Sequence, residues 1–131
     1  MKKFLVLLSL LSFSVWADGP IQRAVSSTIA DGDTSVTIDL DLKAEINVIE
    51  VTVPEVFGTP TLTLSILTPI GTMATKAAIA EGGVTRLDPS DFDAGLEWLC
   101  LNSNNRLQYT LTTATSGEAA VITTRFYGRE F

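Results

Sequence analysis

The chain has 131 residues, with 9 Lys and Arg against 15 Asp and Glu, no histidine and one cysteine. This length suits one domain, and a hydrophobic content of 46% with 18% charged residues is too apolar for a disordered chain. Without histidine the protein has neither a Ser-His-Asp triad nor His-ligated zinc, and one cysteine forms no internal disulfide. A formal charge of −6 also argues against nucleic acid as a partner.

The first 17 residues have the organisation of a secretory signal peptide. Lys2 and Lys3 precede an apolar run from Phe4 to Val15, and Ala17 supplies a small residue at the expected cleavage point. The run is about 12 residues long, whereas a membrane helix needs about 20, so a retained anchor is the weaker alternative. We expect export to the periplasm, the cell surface or the medium. Residues 18–131 then form one mature domain without a stable membrane span.

After this segment, short runs of alternating apolar and polar residues are separated by Gly, Pro, Asp and Asn. The clearest run, Thr61 to Leu67, predicts a strand with Leu62, Leu64 and Ile66 on its inner face. Similar alternation marks three further runs, 34–41, 106–113 and 119–127. The pattern predicts an all-β fold, a single antiparallel β-sandwich or jelly roll of about seven to nine short strands.

Two segments make local predictions about strand geometry. The strand before Asp31-Gly32-Asp33 and the strand after it are expected to form a hairpin, because Asp-Gly is a turn signal. Within Glu45 to Val53 the apolar residues change parity, which predicts a bulge near Val48 and Ile49 or a strand covered on both faces. Met73 to Ala80 is rich in alanine, so helix and strand both remain open there.

Three carboxylates, Asp88, Asp91 and Asp93, lie within six residues and are candidate calcium ligands. The spacing differs from that of a calcium-binding loop, and the alternative is a turn whose carboxylates accept hydrogen bonds from backbone amides. No other cofactor is expected. Asp39 and Asp41 face outward on one predicted strand and could act as an acid and a base only beneath a pocket. Since no nucleophile or phosphate-loop motif is present, we expect a protein that is not an enzyme.

Trp98, Tyr109 and Tyr127 are candidates for a ligand platform, because an aromatic ring can stack on the apolar face of a sugar. The strand positions of these rings favour the core, where they bury the most surface, and the ligand platform is the alternative. Cys100 is expected to be buried on the same face as Leu96 and Trp98, since free cysteine is among the most buried residue types. An intermolecular disulfide is the alternative for Cys100 in an exported chain.

The C-terminal segment from Leu107 to Tyr127 has two Thr-rich runs around Ser116-Gly117 and ends in Phe126-Tyr127. It resembles the closing hairpin of small β-sandwich accessory proteins of phage virions. The resemblance covers less than a quarter of the chain and implies a sandwich fold with a role in a particle. It transfers no functional residue.

Together these features favour an exported, non-enzymatic β-sandwich that acts in assembly or adhesion, as a subunit of a surface, filament or virion particle. Edge strands would supply the contact with protein partners or with further copies of the chain. The arm from Asp18 to Arg23 and the tail from Phe126 to Phe131 are the candidate donor segments. The alternative function is a monomeric extracellular module that binds carbohydrate or another small ligand.

Overall fold

The computed structural model describes residues 20–55, 61–93, 95–114 and 117–130. Within these ranges the chain forms nine strands and a short 3-10 helix at Pro89–Asp91, which confirms the predicted all-β fold. None of the helical structure in the described ranges has the length or apolarity of a membrane span. The predicted signal peptide, residues 1–17, lies outside the described residues.

The strands are β1 Pro20–Ile29, β2 Ser35–Asp39, β3 Ala44–Val53, β4 Leu62–Thr68, β5 Gly71–Ile79, β6 Gly83–Leu87, β7 Leu99–Leu101, β8 Arg106–Leu111 and β9 Ala120–Glu130.

The strands form two antiparallel sheets that pack as a sandwich. The five-stranded sheet has the order β1-β9-β3-β6, and β7 pairs with β3 beyond the end of β6. The four-stranded sheet has the order β2-β8-β4-β5. The undecided segment from Met73 to Ala80 lies almost entirely in β5, where Ala74 and Ile79 are buried and Met73 packs partly against the core.

The core lies between the sheets, where alternate residues of each strand point inward. The predicted inner residues Leu62, Leu64 and Ile66 are all fully buried, which confirms the alternation in β4. The same period holds in β8 and β9, whose buried residues are Leu107, Tyr109 and Leu111 in one strand and Ala120, Ile122, Thr124 and Phe126 in the other.

A bulge in β3 explains the change of parity along that strand. Ile46 pairs with Gly128 of β9 and Val48 pairs with Tyr127, so Asn47 is an extra residue on β3. The predicted bulge is therefore confirmed, one residue earlier than expected. Gly128 permits it, because a Cβ atom at this position would lie 1.9 Å from the backbone oxygen of Glu45.

Both predicted hairpins are wrong in their pairing. β1 pairs with β9 and β2 pairs with β8, so the Asp31-Gly32 turn joins the two sheets. The connection from β8 to β9 also crosses between the sheets, and the C-terminal segment is not a closing hairpin. A turn signal marks a reversal of the chain but leaves the strand partner open, and here each strand pairs with a more distant segment. The Asp31 carboxylate accepts a hydrogen bond of 2.9 Å from Gly117 N, which ties the two connections together.

Candidate functional site

The loop between β6 and β7 holds the three candidate calcium ligands. The Asp88 side chain accepts a hydrogen bond from Ser90 N at 2.9 Å and also contacts the Ser90 hydroxyl. The Asp91 side chain accepts one from Asp88 N at 2.8 Å, which completes a capping box around the 3-10 helix. The hydrogen bonds from Ser90 lower the pKa of Asp88. Asp93 is exposed beyond the helix, and no cluster of three metal-binding side chains occurs among the described residues.

The three candidate platform aromatics lie in different environments. Trp98 is 67% exposed just before β7, so the core position expected for this residue is wrong. Tyr109 is fully buried in β8, where its hydroxyl contacts Thr124, and its ring therefore has no face open to a ligand. Tyr127 is half-buried on the outer face of the five-stranded sheet. The structure thus leaves Trp98 as the exposed member of the predicted set.

Cys100 is exposed, so its predicted burial is wrong. Leu99 and Leu101 point into the core instead, and Cys100 pairs with Glu45 on the outer face of the sheet. The segment from Leu96 to Leu101 has apolar residues at both parities, and only the pairing of β7 with β3 decides which of them face inward. Trp98 and Cys100 are both exposed, whereas Leu96 packs against the core, so the predicted common face of the three residues is wrong.

A hollow of about 670 Å³ lies at one end of the sandwich. Three connections meet there, those that follow β2, β4 and β7. The hollow is open to solvent, and its lining contains both carboxylates for which the sequence analysis required a pocket. The lining residues are Asp39, Asp41, Pro69, Ser103, Asn104 and Arg106.

Asn105 holds the three connections in place. Its side chain donates a hydrogen bond to the backbone oxygen of Leu67 at 3.1 Å and accepts one from Asn102 N at 2.7 Å. Its own backbone oxygen accepts a hydrogen bond from Leu40 N at 3.2 Å. Asn105 is only 2% exposed, so these bonds form in a water-poor environment where leaving a polar group unpaired is costly.

The residues that line the hollow include hydrogen-bond donors and acceptors, some charged and some neutral. Asp39 and Arg106 are register partners on β2 and β8, so a negatively and a positively charged residue occupy the same cross-strand position. Asp41 has a left-handed backbone with φ of 44°, and its backbone oxygen accepts a hydrogen bond of 3.4 Å from Arg23. Such a set of donors and acceptors suits a small hydroxylated ligand. Trp98 is not part of the lining, so the predicted platform and the hollow are separate features.

Asp39 and Asp41 were recognisable from the sequence as candidates, whereas the other residues of the hollow were not. Pro69, Ser103 and Asn104 lie in turns, where Pro, Ser and Asn have an ordinary structural role. Their convergence depends on the pairing of β8 with both β2 and β4, which local patterns do not show.

The terminal strands form a second candidate site, because they lie at or next to a sheet edge. Pro20 pairs with Arg129 and Arg23 pairs with Phe126, so the two predicted donor segments pair with each other within the chain. The prediction of free terminal arms is therefore wrong for the described residues. β9 has a strand on either side, whereas β1 has a strand on one side only among the described residues.

No protein-family model and no curated protein matches the sequence. Among solved structures, the chain is similar to one in the capsid of the Helicobacter pylori bacteriophage KHP30, with 13% identity, a TM-score of 0.49, and 86% of this chain and 89% of that chain covered. It is also similar to the Bacillus endospore appendages that form disulfide-linked pili, with 13% identity, a TM-score of 0.48, and 87% and 91% covered. A chitosan-binding module from a Paenibacillus chitosanase/glucanase has 10% identity and a TM-score of 0.46, with 86% and 97% covered.

Proposed function

We propose that this protein is an exported, non-enzymatic β-sandwich subunit that assembles with other protein chains through its sheet edges. The observation that carries the proposal is β1, a strand of ten residues at the edge of the five-stranded sheet. A strand in this position presents unpaired backbone N–H and C=O groups, to which another chain can add a strand.

The outer face of the four-stranded sheet supports the same function. Thr37 of β2 and Ser65 of β4 flank Gln108 of β8 in one cross-strand row, and Gln108 donates a hydrogen bond of 3.2 Å to the Thr37 hydroxyl. The neighbouring row consists of Ser35, Thr110 and Thr63. These side chains are polar but uncharged, and depletion of charged residues is characteristic of the centre of protein–protein interfaces.

The mass of the protein in solution tests this function. The full chain would be produced with its N-terminal segment in an exporting host, and the recovered protein would be measured by light scattering over a wide concentration range. A defined oligomer, or a mass that rises with concentration, is the expected result. A strict monomer at the highest concentration would contradict assembly between copies, and would leave the ligand-binding function as the better candidate.

The second candidate function is a module that binds carbohydrate or another small ligand, and the exposure of Trp98 favours it. A sugar stacked on this indole would change its fluorescence and protect it from quenching by acrylamide.

We would titrate soluble oligosaccharides with and without calcium, and compare Trp98→Ala with Arg106→Ala. Loss of binding in the first variant alone would indicate the aromatic platform, and loss in the second alone would indicate the hollow. A calcium requirement removed by Asp91→Asn would support the acidic loop as a metal site.

A further inference from the structure

We infer that β1 pairs in antiparallel orientation with β1 of a second copy, so that the two five-stranded sheets become one continuous sheet. This inference rests on the proposed function and names its surface and its occupant. Two features support it: β1 is the longest regular sheet edge, and its two ends carry opposite charges.

The other edges are shortened, irregular or covered. β2 and β6 have five residues each, and β7 has three. β5 is longer, but its register shifts twice against β4, and Ala78 within it has a left-handed backbone with φ of 56°. Part of its edge is also occupied, since Asp93 N donates a hydrogen bond of 2.9 Å to the backbone oxygen of Thr75. Natural sheets protect their edges by such devices.

β1 lacks the irregularities that interrupt β5. All ten of its residues pair with β9 without a register shift, from Pro20 opposite Arg129 to Ile29 opposite Ala120. The segment from Ala24 to Ala30 contains no charged residue. A long, regular and uncharged edge of this kind is a template for strand addition.

The charges at the two ends of β1 favour a second copy in antiparallel orientation. Arg23 lies near the start of the strand, and Asp31 and Asp33 follow its end; all three are exposed. Self-pairing about Ser27 or about Thr28 brings Arg23 of each copy toward the turn that carries Asp31 and Asp33 in the other. Both registers keep the inner and outer faces of the two strands aligned, because the side-chain period is two. The positive start of each strand then meets the negative end of the other.

The hydrophobic residues along this flank are incompletely covered, which also fits a second copy. Ile21 and Val25 of β1 and Val36 and Ile38 of β2 pack against the core but are only half-buried. β1 and β2 lie on the same flank, joined by the Asp31-Gly32 turn. A chain laid along β1 would remove part of this surface from water, which stabilises association.

The test is a charge exchange between two variants of the full chain, both carrying Cys100→Ser so that no disulfide links the copies. One variant has Arg23→Glu, and the other has Asp31→Lys with Asp33→Lys. Each alone places like charges opposite one another at both ends of the paired strands, whereas a mixture restores opposite charges. We expect each variant to be monomeric in sedimentation at concentrations where the Cys100→Ser parent is a dimer, and an equimolar mixture to regain the dimer mass. Lys76→Glu on β5 makes the same change of charge away from β1 and should leave the dimer intact.

The outcomes separate this inference from the proposed function. A parent that stays monomeric throughout would contradict this inference together with assembly between copies of the chain. A parent that assembles, with both charge variants assembling equally well, would overturn pairing through β1 and leave assembly through another edge. Loss of assembly without recovery on mixing would also overturn it, provided that the melting temperatures match that of the parent. That comparison is needed because Asp31 accepts a hydrogen bond from Gly117 N and Arg23 donates one to the backbone oxygen of Asp41.

Discussion

The hydroxyl of Tyr109 lies 2.7 Å from the Thr124 hydroxyl and connects the two sheets inside the core. Tyr109 belongs to β8 in one sheet, Thr124 belongs to β9 in the other, and both are fully buried. Burial raises the pKa of Tyr109 well above its ordinary value, because a phenolate would lack solvation there. The pair is therefore a neutral hydrogen bond that fixes the alignment of one sheet against the other.

Removing both hydroxyls of this pair should cost less than the sum of the two single removals. Tyr109→Phe leaves the Thr124 hydroxyl buried without its partner, and we expect a loss of about 1–3 kcal/mol in the free energy of unfolding. Thr124→Val should act similarly. The double variant should lose less than the sum of the two, because nothing polar is then left unpaired. Urea unfolding of the four proteins measures this coupling, and strictly additive losses would show that the contact contributes no stability.

Replacing Asn105 should lower the free energy of unfolding more than replacing a residue that lines the hollow. Asn105→Ala removes the side-chain bonds to Leu67 and Asn102, and we expect a loss of about 2 kcal/mol in unfolding free energy from the buried groups left unpaired. Asn104→Ala in the same turn is the control, since Asn104 is exposed and its change should cost under about 0.5 kcal/mol. Equal stability of the two variants in chemical unfolding would contradict this role.

Gly128 should tolerate no side chain as long as the bulge at Asn47 persists. Gly128→Ala would bring a methyl group against the backbone of Glu45, so the strands must separate or the bulge must move. We expect a loss of about 3 kcal/mol, the upper range for overpacking. A Cβ atom at Gly83 would meet nothing within 4 Å, which makes Gly83→Ala the matched control. Thermal unfolding compares them, and similar melting temperatures would exclude a close approach at Gly128.

The capping box in the acidic loop should depend on pH through Asp88. Because the pKa of Asp88 is lowered in the folded protein, its contribution to stability is present above the unfolded pKa of about 3.9 and is lost as the pH falls through the folded value. NMR titration of the side-chain carboxyl carbon measures the folded pKa directly. Ser90→Ala should move it upward toward the ordinary value, since the Ser90 hydroxyl is the main cause of the shift. An unchanged pKa in that variant would contradict the assignment.

The sequence predicted the strands and most of the core, because strict alternation identifies a strand and its inner face without knowledge of its partners. Leu62, Leu64 and Ile66 illustrate this success. Cys100 illustrates the limit, since its three-residue strand is too short for parity to decide which side faces the core. The strand partners were also mispredicted, because the Asp31-Gly32 turn is equally compatible with a hairpin and with a connection between sheets.

The hollow was predictable only in part, because its position depends on which strands are neighbours. Asp39 and Asp41 were recognisable as outward-facing carboxylates, but the hollow above them exists because β8 lies between β2 and β4. Asn105, which is buried within a turn, gives no signal in the sequence beyond that of any turn asparagine. A site built from several turns becomes visible only once the order of the strands is known.

The pairing of β1 with β9 has a consequence for how the chain folds. The first described strand finds its neighbour in the last one, with Pro20 opposite Arg129, so the five-stranded sheet is incomplete until nearly the whole chain is available. Contacts between such distant segments close large loops and slow the search for the native state. A chain synthesised from its N-terminus would thus complete its core only after β9 had been made. Until then, β3 would lack the strand that separates it from β1.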